Sequence, residues 1–232
     1  MKQIIIFLLL GACVFAQNMY INTPYRGSLY EEVKPFMEEL FHRNGYELVF
    51  QKLPLKRGLI NANSGMDDGD GPRVKEVENK FPNLLRVETP ILQISIHAYY
   101  KKKYLKIGRW ADLKPFHVGV RTGTLIQVNN VKKANPDEII YVDTNEKLFK
   151  LLEEKKVDVI IMEKVMARDV KQKMKLEDIS MSPALLRKNK YLFLNKKHAN
   201  RVQGFNKTLL QMKKEGYQDR LKDFYEIGKS SR

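Results

Sequence analysis

The chain has 232 residues, with 42 Lys and Arg against 27 Asp and Glu, so its formal net charge is +15. Hydrophobic residues make up 43% of it and aromatic residues 10%, which is enough apolar surface for a packed core and excludes a wholly disordered chain. A single cysteine excludes an intramolecular disulfide framework, and four scattered histidines argue against a metal site. The length fits one large domain or two small lobes.

The N-terminus is typical of a secretory signal peptide. Lys2 precedes an apolar run over residues 4–10, and small residues then lead to polar Gln17. The apolar stretch is shorter than the roughly 20 residues that cross a bilayer. We therefore expect residues 1–16 to be removed on export to the periplasm, or Cys13, which ends a lipoprotein-like LGAC sequence, to carry a lipid anchor.

The positive charge is spread over short lysine clusters with acidic residues between them. These clusters include 101–103, Lys188 with Lys190, and Lys196 with Lys197. No single basic block or RNA-binding motif concentrates them. We interpret them as a solvated surface and expect no nucleic-acid partner.

Strands and helices alternate along the first part of the mature chain. The sequence predicts strands over 19–22 and 46–51, an amphipathic helix from Ser28 to Gly45, and a short helix over 56–63. The Asp-Gly-Asp-Gly-Pro segment 68–72 then predicts a break in regular structure, followed by a helix that begins near Arg73. Strands over 84–87 and 95–101 complete this part.

The second part repeats the alternation. Strands are predicted over 117–121, 139–142 and 190–195, and helices over 125–133, after a capping box at 143–146, and over 198–214 and 217–225. The continuously apolar run 157–162 predicts a central buried strand with Glu163 at its carboxyl end. This pattern is typical of an α/β fold with crossover helices, and we expect two lobes.

A series of motifs resembles the periplasmic solute-binding proteins of amino-acid-type ABC transporters, the bacterial extracellular solute-binding protein family 3. After the signal peptide these motifs are YINTPY at 20–25, RNGYEL at 43–48, Asp-Gly at 68–69 with Arg73, GVRTGT at 119–124, VDVIIME at 157–163 and LLQMKKEGY at 209–217. The resemblance implies a two-lobed periplasmic-binding-protein-like (Venus flytrap) fold with hinge strands between the lobes. It places lobe 1 at 17–97 plus 187–232 and lobe 2 at 98–186, with a small solute in the cleft.

Arg73 and the 122–124 turn are the candidate anion-binding residues. The resemblance places Arg73 at the family's carboxylate-binding arginine, and a guanidinium at a helix start suits bidentate capture of a carboxylate. An ion pair with Asp70 is the alternative. Thr122, Gly123 and Thr124 stand between a strand and a helix, where hydroxyls and backbone N–H groups can hold the same anion, unless they form only a helix-capping turn.

Glu163, Tyr25 and Asp70 complete the candidate site. Glu163 stands where the family has an aspartate that holds the ligand's ammonium; alternatively it is a helix-start acid. Tyr25 matches an aromatic position that flanks the ligand, or else packs on the lobe surface. Asp68 and Asp70 replace a Thr-rich segment of the amino-acid binders, so they either admit a cationic or polyhydroxylated solute or pair with Arg73.

The resemblance implies a monomeric binding protein, not an enzyme, that delivers a zwitterionic or anionic amino-acid-like ligand to a membrane permease without a cofactor. Two alternatives remain open: a ligand sensor for a membrane receptor, and a cyclohexadienyl dehydratase-like enzyme of the same fold. The sequence carries no recognisable catalytic motif. We expect His97 and His117 to be structural residues.

Overall fold

The computed structural model describes residues 17–23, 27–101, 105–217 and Leu221. Its strands are β1 (Gln17–Asn22), β2 (Tyr46–Gln51), β3 (Gly69–Val74), β4 (Leu84–Arg86), β5 (Leu92–Tyr100), β6 (His117–Arg121), β7 (Glu138–Val142), β8 (Val159–Glu163), β9 (Ser180–Met181) and β10 (Leu186–Asn195). Its α-helices are α1 (Gly27–His42), α2 (Leu55–Ser64), α3 (Leu125–Ala134), α4 (Asn145–Glu153), α5 (Lys164–Met174) and α6 (Val202–Lys214). Short 3₁₀ helices lie at Lys75–Val77, Trp110–Leu113 and Lys196–Arg201.

Four sequence-based predictions fall outside the described residues, wholly or for the most part: the signal peptide, the lipid anchor at Cys13, the ligand contact of Tyr25 and the helix over 217–225. Within the described ranges, no helix has the length and apolar character needed to cross a membrane.

The strands join in one sheet, in the order β2-β1-β3-β10-β5-β8-β6-β7, with β4 added beside β10 and β9 beside β5. The pairs of β1 with β2 and β3, and of β6 with β7 and β8, are parallel, as the alternation with helices predicts. Antiparallel β5 and β10 lie between these two parallel groups. We call the part with β1 to β4 the first half and the part with β6 to β9 the second half.

Strand β5 passes from one half to the other. Its residues 92–96 pair with β10, and its residues 96–99 pair with β8, so Ile96 marks the change of partner. The paired strands β5 and β10 are therefore in the position expected of hinge strands. The lobe boundaries given above remain a proposal.

Apolar helix faces cover the sheet on both halves. In α1, Val33, Phe36, Met37, Leu40 and Phe41 are all buried, which confirms the predicted amphipathic helix. In the second half, α4 buries Leu148, Phe149 and Leu152 against strand β8. Strand β8 lies between β5 and β6 and is buried from Val159 to Met162, which confirms the predicted central strand.

The predicted break at 68–72 and the predicted helix start near Arg73 are wrong. These residues form β3, which is buried and pairs with both β1 and β10. The glycines are there because β10 approaches closely: a Cβ on Gly69 would lie 2.2 Å from the carbonyl oxygen of Phe193, and one on Gly71 would lie 3.2 Å from that of Tyr191. A glycine-rich segment here serves close strand packing rather than a turn.

Candidate functional site

A cleft lies between the two halves, beside the carboxyl ends of β6 and β8. It encloses a cavity of about 90 Å³. Its polar and charged lining residues are Arg73, Arg121, Thr124, Gln127, Asn145, Glu163 and Lys190. The rest of the wall is aliphatic or thioether in character and includes Leu55, Leu59, Ile94, Ile96, Met162 and Met166. Ligands of open α/β sheets bind at this edge, outside the carboxyl ends of the strands.

The structure brings four of the seven candidate residues together on this wall: Arg73, Gly123, Thr124 and Glu163. Asp70 does not line the cavity, since it lies fully buried behind Arg73. Thr122 is exposed, does not line the cavity, and donates its hydroxyl to the carbonyl oxygen of Val142 at 3.1 Å.

Arg73 lies in a buried strand and not at a helix start, so the expected free backbone N–H groups of a helix are not beside it. Its guanidinium forms a bidentate ion pair with Asp70, through Nε to Oδ1 and through Nη2 to Oδ2. Nη2 also donates to the carbonyl oxygen of Leu55 at 3.1 Å. Complete burial raises the pKa of Asp70, and the positive charge of Arg73 opposes that shift. The alternative ion pair named from the sequence is therefore formed.

Glu163 is the last residue of β8 and the residue before α5, so it meets the prediction of an acid at the carboxyl end of a central strand. Its Oε1 accepts a hydrogen bond from Nζ of Lys190 at 2.8 Å. Its Oε2 is buried and has no hydrogen-bond partner among the described residues.

Lys190 is not part of a solvated surface, contrary to the interpretation of the lysine clusters. It is 7% exposed and reaches the cleft from β10, where it pairs in register with Val74 and Leu92. Burial lowers its pKa, while the charge of Glu163 and the hydrogen bond to it oppose the shift. A lysine held in this way contributes a fixed positive charge to the cleft wall.

Arg121 ends β6, next to the turn that leads into α3. Its Nε is buried without a hydrogen-bond partner in the described part of the chain, and no described carboxylate lies within ion-pair distance of it. Burial lowers its pKa, with the more distant charges of Glu163 and Glu146 opposing the shift. An incompletely paired guanidinium in a cleft is a ready partner for a carboxylate.

The turn before α3 reaches the cleft through Gly123 and Thr124. Gly123 has a φ of +81°, and a Cβ there would lie 3.5 Å from the Leu55 side chain of the opposite half. Thr124 precedes the helix and donates its hydroxyl to the carbonyl oxygen of Arg121 at 2.6 Å. Ile126 and Gln127, whose backbone N–H groups lie in the first turn of α3, line the cleft.

The other candidates lie outside the cleft. Asp68 accepts hydrogen bonds from Lys197, His198 and the backbone N–H of Tyr20; burial raises its pKa, but these bonds outweigh burial and lower it. His97 is buried, with both ring nitrogens in hydrogen bonds, and His117 is exposed at the start of β6. No cluster of metal ligands occurs within the residues searched, which are the described ones.

Sequence reasoning missed Arg121 and Lys190, the two cations that complete the site. Arg121 stands inside the GVRTGT motif, directly before the turn, so its place at a strand end was a usable signal. Lys190 had no such signal, because it stands between Asn189 and Tyr191 in a segment rich in lysine.

No family model matches the sequence, and no curated protein matches it. Solved structures do match. An ancestral arginine-binding protein bound to arginine gives a TM-score of 0.73 at 17% identity, covering 90% of this chain and 98% of that chain. The amino acid ABC transporter substrate-binding protein AbpA from Streptococcus pneumoniae Canada MDR_19A, bound to L-arginine, gives 0.70 at 19% identity, covering 89% and 93%.

An ancestral arginine-binding protein bound to glutamine gives a TM-score of 0.73 at 16% identity, covering 91% of this chain and 99% of that chain. At such identities the likeness shows the fold. The chain has the two-lobed periplasmic-binding-protein-like fold of these structures, and the fold prediction is confirmed.

Proposed function

We propose that the protein is an exported solute-binding protein that captures a small, amino-acid-like carboxylate in the cleft and delivers it to the permease of an ABC transporter. The observation that carries the proposal is the convergence of Arg73, Arg121, Lys190 and Glu163 with the start of α3 on one cavity between the halves. The fold shared with amino-acid-binding proteins supports it.

Arg121 is the carboxylate anchor in this proposal. The guanidinium of Arg73 is held by Asp70, whereas Nε of Arg121 has no partner in the described chain. A ligand carboxylate at Arg121 would also lie near the free N–H groups of the first turn of α3, where the helix dipole favours an anion.

Thermal unfolding with a panel of L-amino acids and their 2-hydroxy and 2-oxo analogues tests the proposal, because a ligand that binds only the folded state raises the unfolding temperature. Arg121→Gln should weaken the affinity for the stabilising compound by at least about 30-fold, as expected when a charged partner of the ligand is truncated. Lys132→Gln is the matched control, since it removes a positive charge from the exposed side of α3.

Binding without any dependence on Arg121 would place the site elsewhere and contradict the proposal. Turnover of prephenate or arogenate would instead favour the dehydratase. Uptake of the identified ligand by host cells that lack this protein separates transport from sensing, since only a transport role predicts a loss of uptake. Export predicts a mature chain that begins at Gln17, or at an acylated Cys13, by mass spectrometry.

A further inference from the structure

We infer that the cleft selects carboxylates whose second polar group is a neutral hydrogen-bond donor, such as α-hydroxy acids, over α-amino acids, because Lys190 already supplies an ammonium to Glu163. The inference rests on the proposed function and narrows its ligand class.

Lys190 fills the place that the resemblance gives to the ligand's ammonium. Its Nζ lies 2.8 Å from Oε1 of Glu163, and its side chain is 9% exposed. The side chain comes from β10, which is paired on both sides at this point. The ammonium that Glu163 binds therefore belongs to the protein.

Two buried atoms on the cleft wall have no hydrogen-bond partner among the residues that the structure describes: Nε of Arg121, which donates, and Oε2 of Glu163, which accepts. Buried polar groups in folded proteins are almost always hydrogen-bonded. A ligand that satisfies both atoms must bring a carboxylate oxygen to Arg121 and an N–H or O–H group to Glu163.

Charge decides whether the ligand group that donates to Glu163 is an ammonium or a hydroxyl. The cavity is lined by three cationic side chains, Arg73, Arg121 and Lys190, against Glu163 on the wall and Asp70 behind it. The ammonium of an amino acid would add a fourth positive charge beside Lys190, on a carboxylate that is already paired. A hydroxyl donates to Oε2 without that repulsion, and the ligand's single negative charge then balances the site.

The residues that line the cavity indicate a ligand with a small aliphatic side chain. Leu59, Ile94, Ile96 and Met162 line the cavity and give it an aliphatic wall beside its charged residues. A branched chain of a few carbon atoms fits such a wall better than the long cationic chain of arginine.

The experiment is calorimetric titration of the wild type with L-valine, 2-hydroxy-3-methylbutanoate and 3-methylbutanoate, which carry an ammonium, a hydroxyl or neither on one skeleton. The hydroxy acid should bind at least tenfold more tightly than L-valine and more tightly than 3-methylbutanoate. L-arginine and L-glutamine are titrated as further probes.

Lys190→Met should raise the affinity for L-valine relative to the hydroxy acid by at least tenfold, because it frees Glu163 for the ligand's ammonium. Lys190→Gln provides the same test if the Met variant fails to fold. Lys188→Met is the matched control on the same strand, since Lys188 pairs with Glu76 at 2.5 Å and does not line the cavity. It should leave the order of affinities unchanged.

A wild type that binds L-valine, L-arginine or L-glutamine more tightly than the hydroxy acid would overturn this inference and leave the proposed function standing. An order of affinities unchanged by the Lys190 variants would also overturn it. Folded protein that binds none of the five probes would count against the proposed function itself.

Discussion

Replacing Arg73 by Ala should destabilise the fold by about 3–5 kcal/mol, because it breaks a buried ion pair and leaves one charge without its partner. The Asp70 side chain is 0% exposed and that of Arg73 is 7% exposed, so the substitution removes the charged partner of a fully buried carboxylate. The same substitution removes the hydrogen bond to the Leu55 carbonyl oxygen, which joins β3 to the start of α2.

Arg109→Ala is the matched control. Arg109 and Asp112 have the same i,i+3 spacing, but the Arg109 side chain is 81% exposed. Loss of an exposed pair of this kind costs about 0–1 kcal/mol. The double variant Arg73→Met, Asp70→Asn should recover much of the stability lost in Arg73→Ala, because no buried carboxylate remains unpaired.

The assay is equilibrium unfolding in urea, with the midpoint compared at constant slope. A loss below about 1 kcal/mol for Arg73→Ala, equal to that of the Arg109 control, would refute the reasoning. It would mean that Arg73 is held loosely and is available to a ligand carboxylate.

Three further predictions follow from the close packing, the buried lysine and the hinge strands. Gly69→Ala should cost at least about 2 kcal/mol in urea unfolding, because its Cβ would lie 2.2 Å from the Phe193 carbonyl oxygen, whereas Gly108→Ala, with its nearest neighbour at 3.9 Å, should cost less. Burial lowers the pKa of Lys190 in the folded protein below its usual 10.5. Between the folded-state pKa and 10.5, the unfolded chain therefore binds more protons than the folded protein. The free energy of unfolding should therefore rise with pH over the range that ends at 10.5, and a Lys190→Met variant that keeps the full wild-type slope would contradict this. A saturating ligand should reduce the radius of gyration in small-angle scattering by rigid-body closure of the halves, and an unchanged radius would argue against a hinge at β5 and β10.

Hydrophobic periodicity predicted most of the helices and strands. Strands β2 and β6 have the predicted bounds, and Gly65 ends α2 in the left-handed conformation, as its position after the helical run indicated. In each of these cases a local pattern and the tertiary structure favour the same conformation.

Strand β3 shows where local patterns fail. Its glycines and its proline favour a turn when read alone, and only the approach of β10, more than 110 residues later in the chain, makes glycine necessary there. The register of two distant strands is not visible in either segment by itself.

The charge pairing in the site could not be predicted for a related reason. Arg73 and Glu163 were recognised by their places in motifs, but their partners depend on burial and on the meeting of β3, β8 and β10. The sequence allowed Arg73 either a ligand or Asp70 as its partner, and the structure pairs it with Asp70.

The central claim is tested most directly by a crystal structure of the protein in complex with a ligand. The ligand to use is the probe that gives the largest increase in unfolding temperature. The account predicts a carboxylate of the probe within hydrogen-bond distance of Nε of Arg121, and a donor group of the probe at Oε2 of Glu163, inside the cleft between the halves. A probe bound outside this cleft, or one that leaves Arg121 without a carboxylate partner, would contradict the account.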